Sequence, residues 1–301
     1  MPRRITQDDV AKATGLSRST VAKVLSLARC RGELSAATRQ RVLDAARSLG
    51  YRATGQGVIL VGSDHTAWQD PFLPAALAAL TADGHRASLV SWEGCEAALH
   101  IGPSPAAVIA VAFLPPELPA MAAAAGLPCL ALNTRGCAGA VGVHPDEHAD
   151  LAAVVEHLAA LGHRSICFAF ATGVHPHVSV AERRQAVATT ARRLRLVVEE
   201  VVLNHGEEEL LRLMTARGGP TALILAPMET QPWHVVEARR KRPFALVVVG
   251  QDQRNSPVTS VQPDYAGVAA RLAEACNGAT ADLAVPGRLV VRETSVSPPK
   301  A

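Results

Sequence analysis

Arg18, Ser19 and Lys23 stand just beyond the corner Gly15-Leu16-Ser17, in the stretch DDVAKATGLSRSTVAKVLS at residues 8 to 26. A guanidinium and an ammonium can donate to O6 and N7 of guanine, and a serine hydroxyl can meet either a donor or an acceptor on a base edge. Those three residues are the candidate base readers. Ser17, Thr20, Thr38 and Arg39 offer hydroxyl and guanidinium donors close to helix starts, the chemistry of phosphate contacts.

Such side chains work only if rigid elements present them together. Thr6 is placed to cap a first helix whose early acids, Asp8 and Asp9, suit the positive end of the helix dipole. Gly15 supplies a sharp corner and Ser17 caps a second helix. On that helix Val21, Val24 and Leu25 share one face with the i, i+3, i+4 spacing and should pack inward with Val10 and Leu16. Arg18, Ser19, Ala22, Lys23 and Ser26 then lie on the other side. A third helix is expected in SAATRQRVLDAARSLGYR, with Ser35 as cap, Val42, Leu43, Ala46 and Leu49 inward, and Gly50 as stop. Three short helices with one exposed cationic face describe a helix-turn-helix reader of double-stranded DNA.

Charge is distributed accordingly. Residues 1 to 56 hold eleven Lys and Arg against four acids, a net of +7, which leaves −4 for the rest of a chain whose total is +3. A localised basic end on a near-neutral body is the electrostatic footprint of a polyanion binder.

The segments DDVAKATGLSRSTVAKVL and SAATRQRVLDAARSLGYR closely resemble the headpiece of the lactose-repressor and galactose-repressor family of bacterial transcription regulators. In that family the residues corresponding to Arg18, Ser19 and Lys23 choose the operator. The resemblance therefore implies a near-palindromic DNA site bound by a homodimer. Two departures are local: SLARCRGELS is longer than usual, and Ser26 stands where Asn is common. The linker departs further. Family members place a longer segment there, with a hinge helix that inserts a leucine into the minor groove. Only Arg52 to Gln56 are available here, without leucine and with Gly55. Five residues cannot sustain a helix, so no hinge insertion is expected.

From Gly57 onward apolar runs alternate with helical patterns. GVILVGS, RASLVSW, AAVIAVAF, PCLALN, SICFAFA, LVVEEVVL, TALILA and FALVVVG are the expected strands, separated by helices such as DEHADLAAVVEHLAALGH and SVAERRQAVATTARRLRL. This alternation predicts parallel sheets covered on both faces, and its length suits two α/β lobes with a ligand cleft at the carboxyl ends of the strands. The expected organisation is a headpiece over 1–52, a linker over 53–56, a two-lobed effector-binding and dimerisation domain over 57–296, and a tail over 297–301.

EHLAALGHRSICFAF, AERRQAV, FALVVVGQDQ and VTSVQPDYAGVAARLAE also resemble that family's effector domain, which is similar to periplasmic sugar-binding proteins. By that resemblance Arg183 and Asp252 fall on residues that hydrogen-bond an effector, and DPF at 70–72 makes Phe72 a ring stacker with Asp70 beside it. A sugar or nucleoside is the implied ligand class, and repression the implied output. Pro227-Met228 replaces a usual Asn-Asp, and Pro145-Asp146 a usual Asp-Asn. A regulator with a degenerate pocket, constitutive or controlled by a partner protein, is the alternative. A solute-binding protein or an enzyme with a basic head is a remote one.

Other chemistry is weakly supported. The six cysteines occur singly, with no C-x-x-C pair, so buried free thiols are expected in place of disulfides or zinc. His144 and His148 have metal-compatible spacing, but Pro145 sets the first at a helix start and no third ligand is near. His175 and His177 fall in an expected loop. GCAGAVG at 136–142 matches no phosphate-binding fingerprint. The sequence implies no catalytic residue, metal or cofactor. With no signal region and no long apolar run, a soluble cytoplasmic chain without membrane contact is expected.

Overall fold

The computed structural model describes residues 5–25, 35–49, 51, 57–62, 70–101, 105–171, 178–203, 208–226, 235, 238–240, 242–250, 256–276 and 279–298. The chain divides into two compact units. The first comprises Met1–Leu132, Gly136–Val141 and Ala269–Thr280; the second comprises Asn133–Arg135, Gly142–Val268 and Ala281–Ala301.

Unit 1 opens with α1 (Gln7–Thr14), α2 (Arg18–Leu25) and α3 (Ala36–Leu49). Val10, Val21, Val24, Val42 and Ala46 are buried together, with Leu16, Leu49 and Tyr51 packed against them. This is the expected inward stripe; the side chains of Leu25 and Leu43 and all of Gly50 lie outside the described residues.

The remainder of unit 1 contains β1 (Gly57–Gly62), α4 (Leu73–Ala82), β2 (Arg86–Ser91), α5 (Trp92–Ile101), β3 (Ala107–Val111), α6 (Leu118–Ala124) and β4 (Cys129–Leu132). These four strands run parallel in the order β4-β3-β1-β2. β3 and β4 are buried throughout. That double-sided burial explains their unbroken apolar runs.

Next come β5 (Ala140–Pro145), α7 (Glu147–Ala160), β6 (Ser165–Phe170), α8 (Val178–Leu194), β7 (Val197–Val202), α9 (Glu208–Thr215), β8 (Ala222–Ala226), β9 (Ala245–Val249), β10 (Thr259–Gln262), α10 (Tyr265–Ala275), β11 (Leu283–Val285) and β12 (Arg288–Val290). The sheet of unit 2 has the order β12-β10-β9-β8-β6-β7, and β5 pairs in parallel with β11. Leu151, Val154, Val155 and Leu158 of α7 recur at helical spacing and pack with Ile166, Phe168 and Val187. Asp146 starts α7 by accepting the Ala149 N–H at 2.9 Å. His163 is fully buried and fixed at both ring nitrogens, by the Thr221 hydroxyl at 2.9 Å and the Val296 carbonyl at 2.8 Å.

All eight expected strands form. Among the described residues four further strands, β5, β10, β11 and β12, were hidden in the sequence. The glycine-rich run at 136–142 is a turn closed by a Cys137–Ala140 bridge that leads into β5. His144 consequently lies in a strand, buried, and not at a helix start as its proline neighbour suggested; α7 begins beyond it, with His148 exposed. β10, β11 and β12 are only three or four residues long. β12 pairs antiparallel with β10, an exception to the expected parallel pattern. Cys95, Cys129, Cys167 and Cys276 are buried free thiols as expected, whereas Cys137 is exposed. Cys30, His175 and His177 lie outside the described residues.

Candidate nucleic-acid interface and effector site

The presentation of the DNA-reading face begins at α1. The Thr6 hydroxyl accepts the Asp9 N–H, and the Asp9 carboxylate accepts the Thr6 N–H at 2.8 Å. This reciprocal capping box fixes where α1 starts. Gly15 ends the helix with φ 65°, and its N–H and that of Leu16 both turn back to the Ala11 carbonyl. A side chain at Gly15 would meet no atom within 4 Å, so the left-handed backbone alone demands glycine. Replacing Gly15 by Ala should therefore cost about 1 kcal/mol through backbone strain. In native-state hydrogen exchange of the whole chain, the Val10 and Val21 amides should lose about fivefold protection. Unchanged protection would mean that the corner tolerates the strain.

Ser17 caps α2 by accepting the Thr20 N–H at 3.1 Å, and its hydroxyl lies 2.8 Å from those of Ser19 and Thr20. Arg18, Ser19 and Lys23 are exposed, while Val21 and Val24 on the same helix are buried. The helix is thus pinned on one face and polar on the other. Arg18 also meets Asp8 of α1, Nε to Oδ1, at 3.5 Å. Ser35 caps α3 by accepting the Thr38 N–H at 3.2 Å, and the two hydroxyls are 2.9 Å apart. Arg39 falls on α3, with its side chain outside the described residues.

The effector candidates divide between the units. In unit 1, Asp70 is buried and its Oδ1 accepts the Phe72 N–H at 2.9 Å. Phe72 immediately precedes α4 and is only 3% exposed. In unit 2, Arg183 grips Glu147 side-on, Nε to Oε2 at 2.7 Å and Nη2 to Oε1 at 2.6 Å. Both side chains are largely buried. Such a two-point pair satisfies charge and geometry together. Gly250, directly after β9, lies so close that a Cβ there would come within 3.2 Å of Arg183 Nη2. Arg183 therefore sits at the carboxyl end of this sheet. Asp252 lies outside the described residues, as do Pro227 and Met228. The linker 53–56 and Arg52 are likewise outside them.

Sequence reasoning did not find Glu147 or Asp150, both buried in the first turn of α7. The Asp150 Oδ1 accepts the Gly287 N–H at 2.8 Å, and a side chain at Gly287 would collide with the Gln262 carbonyl and with Asp150. Burial is the largest influence on Asp150 and pushes its carboxyl up to about 7. The Gly287 N–H opposes this, Glu147 and Asp146 add to it, and Arg183 opposes it. Arg135 pairs with Glu182 in the same unit. Among the described residues no cluster of His, Cys, Asp or Glu is suited to a metal ion, and no helix is long and apolar enough to cross a membrane.

A basic helix-turn-helix unit ahead of α/β units with mostly parallel sheets is the architecture of a DNA-binding transcription regulator. Residues 6–53 match the family described as bacterial regulatory proteins, lacI family. The sequence has no match among curated proteins. Its fold is similar to that of the Lac repressor dimer bound to operator and the anti-inducer ONPF, with TM-score 0.63 and 20% identity over 98% of this chain and 100% of that one. A complex of the transcriptional regulator CelR with cellobiose gives TM-score 0.61 and 21% identity, over 97% and 100% of the two chains. The regulator CCPA from Weissella paramesenteroides, with bound glucose, gives TM-score 0.61 and 15% identity, over 80% and 98%.

Proposed function

We propose that this regulator reads a near-palindromic operator as a homodimer in the cytoplasm and represses transcription in response to a small effector, a sugar or nucleoside. The observation that carries the DNA reading is the exposed Arg18-Ser19-Lys23 face on a helix held by the Ser17 cap and buried Val21 and Val24. Arg18, Ser19 and Lys23 read bases; Ser17, Thr20, Thr38 and Arg39 contact phosphates. Two copies are required because one short helix covers only one half-site. The solved relatives named above, one on operator DNA and two holding sugars, favour the same reading.

Selection of binding sites from random duplex DNA by the full-length protein, near physiological salt, tests it. A two-fold-symmetric site is expected. Binding without sequence preference that vanishes as salt rises would overturn it. Once a site is known, Arg18→Ala and Lys23→Ala should each lose about 1–3 kcal/mol and relax base preference at one position. Arg39→Ala should weaken all sequences alike.

For the effector, the candidate contacts are Asp70 and Phe72 in the first unit, Arg183 in the second, and Asp252, groups whose chemistry suits a polar ring ligand. A second reading, a regulator without a working pocket, is favoured by one set of facts. The Asp70 and Arg183 groups already have protein partners, and Phe72 is buried. Calorimetry against sugars and nucleosides separates the two: a saturable heat supports the first, and its absence throughout the panel supports the second.

A further inference from the structure

The ion pair between Asp8 and Arg18 joins two helices at a place where it does little for folding. Its side chains are 56% and 72% exposed, and its atoms are 3.5 Å apart. Exposed pairs of this kind contribute little to stability. Its geometry is nevertheless specific. The nitrogen of Arg18 nearest Asp8 is Nε, so Nη1 and Nη2, the far end of the guanidinium, lie farther from that carboxylate. Two parallel N–H donors at that end match O6 and N7 of guanine.

We propose that Asp8 is a positioning residue for base recognition, holding Arg18 side-on so that its Nη1–Nη2 end meets a guanine. The inference rests on the DNA-binding reading of the headpiece. A free arginine loses much rotamer freedom when it docks on a base, and a carboxylate tether removes part of that loss before binding. The same carboxylate repels phosphates, so it disfavours the alternative in which Arg18 swings out to the backbone as a sequence-blind contact. Asp8 thus acts twice on specificity: it favours the guanine-facing rotamer and penalises the phosphate-facing one.

The test compares full-length protein with Asp8→Ala and Asp8→Asn on the selected site, on that site with each alternative base at the position read by Arg18, and on unrelated duplex DNA. Asp8→Ala should lower discrimination for guanine at that position about fivefold while raising affinity for unrelated DNA about twofold, since one negative charge has left the face. Asp8→Asn keeps a neutral acceptor and should fall between. A purely structural role would weaken every sequence together. In an Arg18→Lys background, where no planar fork exists to be held, Asp8→Ala should leave base preference unchanged. Undiminished guanine discrimination in Asp8→Ala, or an equal loss in the lysine background, overturns the proposal while leaving the headpiece reading intact. If the unsubstituted protein selects no sequence at all, the headpiece reading fails and the proposal falls with it.

Discussion

Replacing Arg183 by Met is expected to cost about 3 kcal/mol of stability, because removing one partner of a buried pair leaves the other charge without compensation. Glu147 is 6% exposed and receives both of its close contacts from Arg183. Left alone, a buried carboxylate loses the hydrogen bonds that offset its desolvation, which costs free energy. The loss should appear as a lower denaturant midpoint with an unchanged slope. The double substitution Arg183→Met with Glu147→Leu should recover most of that loss, since a buried pair exchanged for apolar groups of similar size is often near neutral. Arg183→Lys should recover little, because an ammonium cannot make the two-point contact. If Arg183→Met left stability unchanged, the pair would be a surface contact, and Arg183 would be wholly available to an effector.

That outcome bears directly on the effector reading. A guanidinium held through Nε and Nη2 is already neutralised by Glu147, so an anionic ligand at this position would have to compete with that carboxylate.

The headpiece was legible in sequence because its determinants are local. Thr6, Gly15, Ser17 and Ser35 occupy the positions assigned to them, and Val10, Val21, Val24, Val42 and Ala46 are buried as their spacing required. Six of the eight expected strands, β1, β3, β4, β6, β8 and β9, were legible for a related reason: burial on both faces forces continuous apolar runs, whereas β2 and β7 are largely exposed. β10, β11 and β12 were not, since strands of three or four residues carry too little pattern to separate from a loop. β5 was obscured by Gly142 within it and by Gly136 and Gly139 just before it. The pairing of Glu147 with Arg183 could not be read at all. It joins residues 36 apart on different helices, and nothing local in PDEHAD tells a buried acid from a solvated one. Asp8 was legible only as a residue favourable to the α1 dipole; its contact with Arg18 depends on how α1 and α2 meet.

Asp150→Asn is expected to make the protein more stable above pH 7, by about 4 kcal/mol at most, and to remove a pH dependence that the unsubstituted protein should show. The sign follows from proton binding. In the unfolded chain this carboxyl titrates near 3.8; in the folded protein burial raises it to about 7. Between those values the folded state holds a proton that the unfolded state has released, so stability falls as pH rises from about 4 to about 7 and levels off beyond. The substituted amide would keep an acceptor for the Gly287 N–H without the charge that burial penalises. The two proteins should therefore be similar near pH 4 and diverge progressively toward pH 7. The contacts of Asp150 also set how local the effect is. Gly287 leads into β12, which pairs with β10, so the desolvation cost of the Asp150 carboxylate falls beside the antiparallel edge of this sheet, although the Gly287 N–H itself favours the ionised form. Hydrogen exchange along β12 should quicken with pH beyond the ordinary base-catalysed rise, and Asp150→Asn should abolish that excess. Parallel unfolding curves for the two proteins from pH 4 to pH 8 would show that Asp150 ionises freely in the folded state, and the burial that Gly287 enforces would then have no electrostatic consequence.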